Sequence, residues 1–120
     1  MLIFPLKKEW YEKIKSGEKT IEYREVKSYW TKRIATTLCR SMFALYSPEE
    51  VFNKVSAIGF KKEFVMYHPT NACLLRLGYT RKKLTAYISL IEVVDGKNTD
   101  LHIDKPVYAI HLANVKEVKQ

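Results

Sequence analysis

The longest regular pattern in this chain runs from Leu84 to Val94, where apolar and polar side chains alternate. The apolar positions are Leu84, Ala86, Ile88 and Leu90, with Thr85, Tyr87 and Ser89 between them. Successive side chains of a strand point to opposite faces, so this period predicts a long β-strand with one buried face. Asp95 and Gly96 are turn residues that end it. A chain with such a strand at its centre is expected to build a sheet around it.

Four shorter segments have strand-like patterns: Leu2–Leu6, Lys19–Val26, Ala72–Leu77 and Val107–Val115. Pro5 has no amide N–H to donate, which predicts that the first strand is irregular or lies at a sheet edge. In the second strand the alternation places Glu22 and Arg24 on the same face. Gly78 and Tyr79 are expected to form the turn after the third.

Helical signals lie between these strands. Lys7–Ser16 has an apolar stripe of Trp10, Tyr11 and Ile14, which favours a helix with Trp10 and Ile14 in the core. Gly17 is typical of the residue that ends a helix.

A second short helix is predicted for Tyr29–Ile34, with Ser28 as its cap. Residues 35–71 are interpreted as a helical insertion, because Ser47 and Pro48 give a good helix start and Ile34–Leu45 also favours a helix, although Phe60–Tyr67 is ambiguous. The predicted fold class is therefore α+β: a small β-barrel with surrounding helices and a helical insertion.

Length and composition limit the class of protein. The 120 residues are 47% hydrophobic and 28% charged, which indicates one folded domain over residues 1–120. No apolar run approaches the roughly 20 residues that span a bilayer. The apolar run Leu2–Leu6 is too short for a signal peptide, so we expect a cytoplasmic protein without a membrane partner.

Metal and cofactor motifs are absent from the sequence. Cys39 and Cys73 are far apart, and the three histidines have no metal-ligand spacing, so no metal is expected. We interpret both cysteines as buried thiols in a reducing compartment. The four glycines are isolated, so no phosphate-binding loop and no cofactor are expected.

Positive charge is concentrated in two segments. The net charge is +8: residues 1–40 carry +5, residues 76–83 carry +4, and the remaining residues together carry −1. Aromatic residues are interleaved with these charges: Trp10, Tyr11, Tyr23, Tyr29, Trp30 and Tyr79. This mixture suits phosphate pairing and base stacking. A solvated lysine-rich face is the alternative interpretation.

One motif carries more specific information. Gly17 to Arg24 has the spacing G-x-K-x-x-E-x-R between a helix and a strand, with Lys7 at the start of that helix. In this the chain resembles the ASCH domain family, whose fold is similar to that of the RNA-binding PUA domain. The segment Leu75–Tyr79 is similar to the next strand and Gly-Tyr turn of phage and bacterial members. The resemblance covers roughly residues 2–34 and 72–115 and implies a PUA-like barrel.

The resemblance implies a basic cleft for RNA or a nucleotide at this motif. Its candidate binding residues are Lys7, Lys19, Thr20, Glu22, Arg24, Trp30, Arg76 and Tyr79. Arg24 offers a planar fork for a phosphate or base edge, and Glu22 either orients that guanidinium or accepts from a base amino group. Lys19 falls on the opposite face unless a twist near Gly17 turns it inward. Alternatively, Glu22 and Arg24 form a partly buried ion pair that closes the barrel.

Two other functions remain open at this point. Some family members resemble amidohydrolases acting on modified cytidine or ribonucleases, which would make Lys19 and Glu22 catalytic, with Glu92 as another acid. Glu22 stands where the amidohydrolase-like members carry a Thr nucleophile, so that hydroxyl is missing here. A protein–protein adaptor using the apolar residues of 35–71 is the third hypothesis.

Overall fold

The computed structural model describes residues 2–27, 29–30, 32–34, 65–66 and 72–118. Its elements are β1 (Leu2–Leu6), α1 (Lys8–Ser16), β2 (Ile21–Glu25), β3 (Val65–Met66), β4 (Ala72–Leu77), β5 (Lys83–Asp95) and β6 (Pro106–Glu117). A 3₁₀ turn, Gly96–Asn98, follows β5. The five strands and the first helix expected from the sequence are confirmed to within a few residues at each end.

The described strands form one mixed sheet in the order β1-β4-β5-β6-β2, with β3 also paired to β5. Only the β1–β4 pair is parallel among them, running from Leu2 opposite Cys73 to Leu6 opposite Leu77. The sheet is curled into a half-barrel, so its two ends, β1 and β2, approach each other. The expectation of a barrel-like, strand-rich fold is confirmed, and β1, with Pro5, is indeed at a sheet end.

Helix α1 packs on the sheet through Tyr11 and Ile14, both buried. Glu9 in its first turn and Lys13 in its last turn suit the helix dipole. Gly17 ends the helix in the left-handed region at φ 86°, and its amide donates to the carbonyl of Ile14 at 3.1 Å. None of the described helices is long and apolar enough to cross a membrane.

The predicted face of β5 is wrong beyond Ile88. Ile88 pairs with Leu112 and Leu90 pairs with His111, so β5 uses two residues where β6 uses one. This bulge at Ser89 reverses the alternation, because an extra residue shifts the following side chains to the other face. Ile91 therefore takes the buried position that the alternation assigned to Leu90.

Residues 29–30 and 32–34 are helical, as predicted, and Trp30 and Ile34 are buried in the core. Ser28 lies outside the described residues. So does most of segment 35–71, for which a helical insertion stays a prediction. Val65–Met66 is the described part of it, and these two residues form a strand against β5.

Candidate functional site

A cavity of about 480 Å³ opens between β1, the start of α1, β2 and the loop after β5. Its charged lining residues are Lys7, Lys19, Glu22, Arg24, Glu25, Lys27 and Asp100. Its apolar and aromatic lining includes Pro5, Leu6, Trp10, Tyr23, Trp30, Leu101 and Ile103. The volume lies in the range of about 300–1,000 Å³ that is usual for small-ligand sites. The G-x-K-x-x-E-x-R motif therefore contributes three of the charged side chains that line a cavity.

Lys19 reaches this cavity because β2 begins two residues after it. Its amide donates to the carbonyl of Lys13 at 3.0 Å, which continues the turn that Gly17 starts. The side chain of Lys19 is thereby directed into the cavity. This is the inward orientation expected from the sequence only if the chain twists near Gly17. Its Nζ lies 3.3 Å from Oε1 of Glu22 and also contacts Oδ2 of Asp100. The ammonium is thus held between two carboxylates.

Glu22 is the most buried charged residue of the site, with 6% of its side chain exposed. It lies opposite Ile110 in the β2–β6 pair and so faces the interior of the curled sheet. Its Oε1 faces Lys19, and its Oε2 accepts from Nε of Arg24 at 3.0 Å and Nη2 at 2.6 Å. Two cations compensate this carboxylate, as a buried charge requires.

Arg24 connects the two ends of the sheet. Its Nη2 donates to the carbonyl oxygen of Pro5 at 2.8 Å. The guanidinium carbon lies 4.7 Å from the ring centroid of Trp30 and 5.3 Å from that of Phe4. The Glu22–Arg24 ion pair, which was the alternative interpretation of the motif, is therefore present. The same two residues also line the cavity.

Two aromatic rings flank Lys19. Its Nζ is 4.7 Å from the ring centroid of Trp10 and 5.3 Å from that of Tyr23. The expectation that Trp10 is a core residue is wrong: Trp10 is half-buried and lines the cavity, whereas Ile14 is fully buried. Burial, followed by the charge of Asp100, raises the pKa of Tyr23, so its phenol remains a neutral hydrogen-bonding group at pH 7.

Asp100 comes from the loop between β5 and β6, and sequence reasoning missed it. The loop folds back on Gly96, whose amide donates to Lys105 O at 2.9 Å and whose carbonyl accepts from the Thr99 hydroxyl at 2.9 Å. A Cβ at Gly96 would lie 2.7 Å from the carbonyl oxygens of Ile103 and Lys105. The close approach that carries Asp100 to Lys19 therefore requires glycine.

The charges of the cavity are arranged in two zones. Inside, Lys19 and Arg24 are balanced by Glu22 and Asp100. Towards solvent, Lys7 and Lys27 are exposed, while Glu25 pairs with Lys105 at 3.6 Å. We call the exposed pair Lys7 and Lys27 the mouth of the cavity. The interior is formally neutral and the mouth is basic.

Arg76 and Tyr79 do not line this cavity, and the prediction of one shared cleft is wrong for them. Cys73 and Leu75 are the inward positions of β4, so Arg76 alternates to the other side of the sheet. Arg76 and Tyr79 instead line a separate groove of about 290 Å³ with Tyr29 and Arg33.

Three other candidates are placed as follows. Thr20 is exposed and lines a neighbouring depression instead of the cavity. Trp30 is buried and stacks on Phe4 at 5.3 Å between centroids, so it supports Arg24 from the core. Oε2 of Glu92 lies within hydrogen-bond distance of Nε2 of His111, at 2.7 Å, and neither residue lines the cavity.

Cys73 is a free, buried thiol, and burial together with the nearby charge of Glu22 raises its pKa to about 12. Cys39 lies outside the described residues. Within the ranges that the structure describes, no three His, Cys, Asp or Glu side chains are grouped to hold a metal ion. Comparison with protein-family models, with curated proteins and with solved structures finds no match to this chain.

Proposed function

We propose that this chain is an RNA- or nucleotide-binding domain that takes one base into the cavity and one phosphate at its mouth. The observation that carries the proposal is the division between a neutral, hydrogen-bonding interior and the two exposed lysines Lys7 and Lys27. A nucleotide has the same division, since its base is neutral and polar and its phosphate is anionic. The proposal includes a PUA-like barrel of the ASCH family, supported by the motif and by the curled, strand-rich sheet.

The interior offers groups suited to a base edge. Glu22 and Asp100 accept hydrogen bonds from amino and ring N–H groups, and Arg24 and Lys19 donate to carbonyl oxygens. The half-buried ring of Trp10 supplies a face on which a base can stack. Enclosure in a cavity favours a single base or nucleotide over a long tract. The free, buried thiol of Cys73 agrees with a reducing, cytoplasmic compartment, which is part of the proposal.

The test uses the indole of Trp10 as a probe. Nucleoside monophosphates, nucleosides and short RNA are titrated while tryptophan fluorescence is recorded. We expect quenching by ligands that contain a base, and a much smaller response in Trp10→Phe, because the remaining Trp30, although it lines the cavity, is only 7% exposed. A chain whose fluorescence and thermal stability respond to none of these ligands at low salt would contradict the proposal.

The mouth is tested by comparing ligands with and without phosphate. Lys7→Gln/Lys27→Gln should lower the affinity for a nucleoside monophosphate about fivefold, because two screened charge contacts are lost. Affinity for the parent nucleoside should not change. Lys97→Gln/Lys116→Gln removes the same charge elsewhere on the surface and serves as the matched control. An equal loss in the control would show that only net charge matters.

A second candidate is hydrolysis of a modified nucleoside, favoured by the contact of Lys19 with two carboxylates at a cavity wall. Glu22 is buried with a cation at each of its oxygens, whereas the side chain of Asp100 is one-third exposed. Asp100 is therefore the better base for a water that attacks an acyl carbonyl, with its proton passing to the departing amine. Turnover of acylated cytidine by the parent chain, abolished by Asp100→Asn, would establish this activity.

A further inference from the structure

A second surface lies beside the cavity on the outer side of β1. It is a groove of about 290 Å³ whose described lining is Leu2, Ile3, Pro5, Tyr29, Arg33, Arg76 and Tyr79. We call it the aromatic–arginine groove, after Tyr29, Arg33, Arg76 and Tyr79. No acidic residue is among its described lining, in contrast to the balanced interior of the cavity.

The two arginines each accompany a tyrosine ring. The guanidinium carbon of Arg33 is 3.7 Å from the ring centroid of Tyr29, and that of Arg76 is 5.4 Å from Tyr79. In the contacts of the described residues Arg76 donates only through Nε, to Gly78 O at 3.1 Å. Its terminal nitrogens are left for a bidentate anion such as a phosphate.

The groove also gathers exposed apolar surface. Among the described residues the large apolar side chains that are exposed are Ile3, Tyr29, Tyr79, Tyr87 and Leu101, and the first three line this groove. Tyr79 is 88% exposed, so its ring is accessible to a ligand. Such a concentration marks a binding surface. Arginines that have no acidic partner among the described residues, beside exposed tyrosine rings, suit alternating phosphates and bases.

The groove adjoins the cavity. Pro5 lines both, and the ring of Trp30 in the cavity wall meets the ring of Tyr29 in the groove edge to face, with 4.9 Å between centroids. A polynucleotide with one nucleotide in the cavity can therefore continue into the groove, because only the paired rings of Trp30 and Tyr29 separate the two. We propose that the aromatic–arginine groove binds the phosphates and bases of a single-stranded polynucleotide next to the nucleotide held in the cavity. The part of this inference that places a nucleotide in the cavity rests on the proposed function.

The experiment measures binding of labelled single-stranded RNA of roughly ten nucleotides, and of a mononucleotide, over a range of salt concentrations. Arg33→Gln/Arg76→Gln should reduce the slope of log affinity against log salt by roughly 0.7 for each lost phosphate contact. Tyr79→Ala should weaken RNA binding at least about fivefold, and Tyr79→Phe should stay within about twofold of the parent. Mononucleotide binding should be unchanged in all three variants.

Lys97→Gln/Lys116→Gln is the control for charge, since neither lysine lines the groove. The groove proposal is overturned if this control loses as much RNA affinity as the arginine pair. It is also overturned if the groove variants weaken the mononucleotide as much as the RNA, or if polyglutamate competes as well as RNA of equal charge. RNA binding that depends on the groove, with no mononucleotide binding, would support the groove and refute the cavity proposal. DNA of the same sequence shows whether the ribose hydroxyl contributes.

Discussion

Arg24 donates to the carbonyl oxygen of Pro5, and this one hydrogen bond joins strands that stand at opposite ends of the sheet order. The same guanidinium is paired with the buried carboxylate of Glu22. Closure of the half-barrel and the wall of the cavity therefore depend on one side chain. A substitution at Arg24 is expected to change stability and binding together.

Arg24→Met should lower the free energy of unfolding by about 3 kcal/mol, because it leaves Glu22 with a single cation in the interior. Urea unfolding of the single variants and of Glu22→Gln/Arg24→Met forms a double-mutant cycle. The double variant should be more stable than the sum of the single effects predicts, by at least about 1 kcal/mol. Additive effects would show that the carboxylate and guanidinium are not coupled.

Gly96→Ala should destabilise the protein by about 1–3 kcal/mol, because the new Cβ would press on the carbonyls of Ile103 and Lys105. The loop that carries Asp100 would then shift away from Lys19, so ligand affinity should also fall. Thermal unfolding and the fluorescence titration measure the two effects. Asn98→Ala, at an exposed position of the same turn, should leave both unchanged.

The bulge at Ser89 predicts opposite outcomes for two adjacent residues. Ile91→Ala removes a side chain that is 1% exposed and should cost about 2–4 kcal/mol. Leu90→Ala removes a partly exposed side chain and should cost less than about 1 kcal/mol. Urea unfolding compares them directly. The reverse ranking would mean that the alternation continues unbroken through β5.

Alkaline pH should destabilise the fold through Cys73. Its folded pKa of about 12 is above the ordinary value of 9.0, so between these values the folded state keeps a proton that the unfolded state has lost. The free energy of unfolding should therefore fall as pH rises from about 9 to 12, by up to about 1.4 kcal/mol per pH unit. Tyr11 and Tyr23, whose pKa values are also raised, add to the decline.

The contribution of Cys73 is isolated by comparing a Cys39→Ser chain with Cys39→Ser/Cys73→Ala. The second chain should lose stability less steeply above pH 9. In the first, a thiol reagent should react at neutral pH only after unfolding. Rapid reaction of the folded chain would show that Cys73 is accessible.

The strands and α1 were predictable because their signals are local: alternation for the strands, and for α1 an apolar stripe ended by Gly17. The shared face of Glu22 and Arg24 followed from the same alternation. Leu90 was misplaced because a bulge is set by the pairing of β5 with β6, which leaves no period in the sequence of β5 alone. Arg76 was misplaced because its strand is apolar at all other positions. The sequence therefore does not show which alternate residues face the core.

Asp100 and Trp10 were missed for different reasons. Asp100 lies far along the chain from Lys19, in a loop whose path is set by the close packing around Gly96. No spacing rule connects the two residues. Trp10 belongs to the apolar stripe of α1, and the stripe alone does not show which of its residues line a cavity instead of the core.

The parallel pairing of β1 with β4 has a consequence for the order of folding. The β4–β5–β6 strands are close in sequence and can pair early, whereas β2 must find β6 across residues 26–105 and β1 must find β4 across residues 7–71. Pro5, on β1, borders both the cavity and the aromatic–arginine groove. A bound polynucleotide would therefore stabilise one of the late-docking strands, β1, against local unfolding.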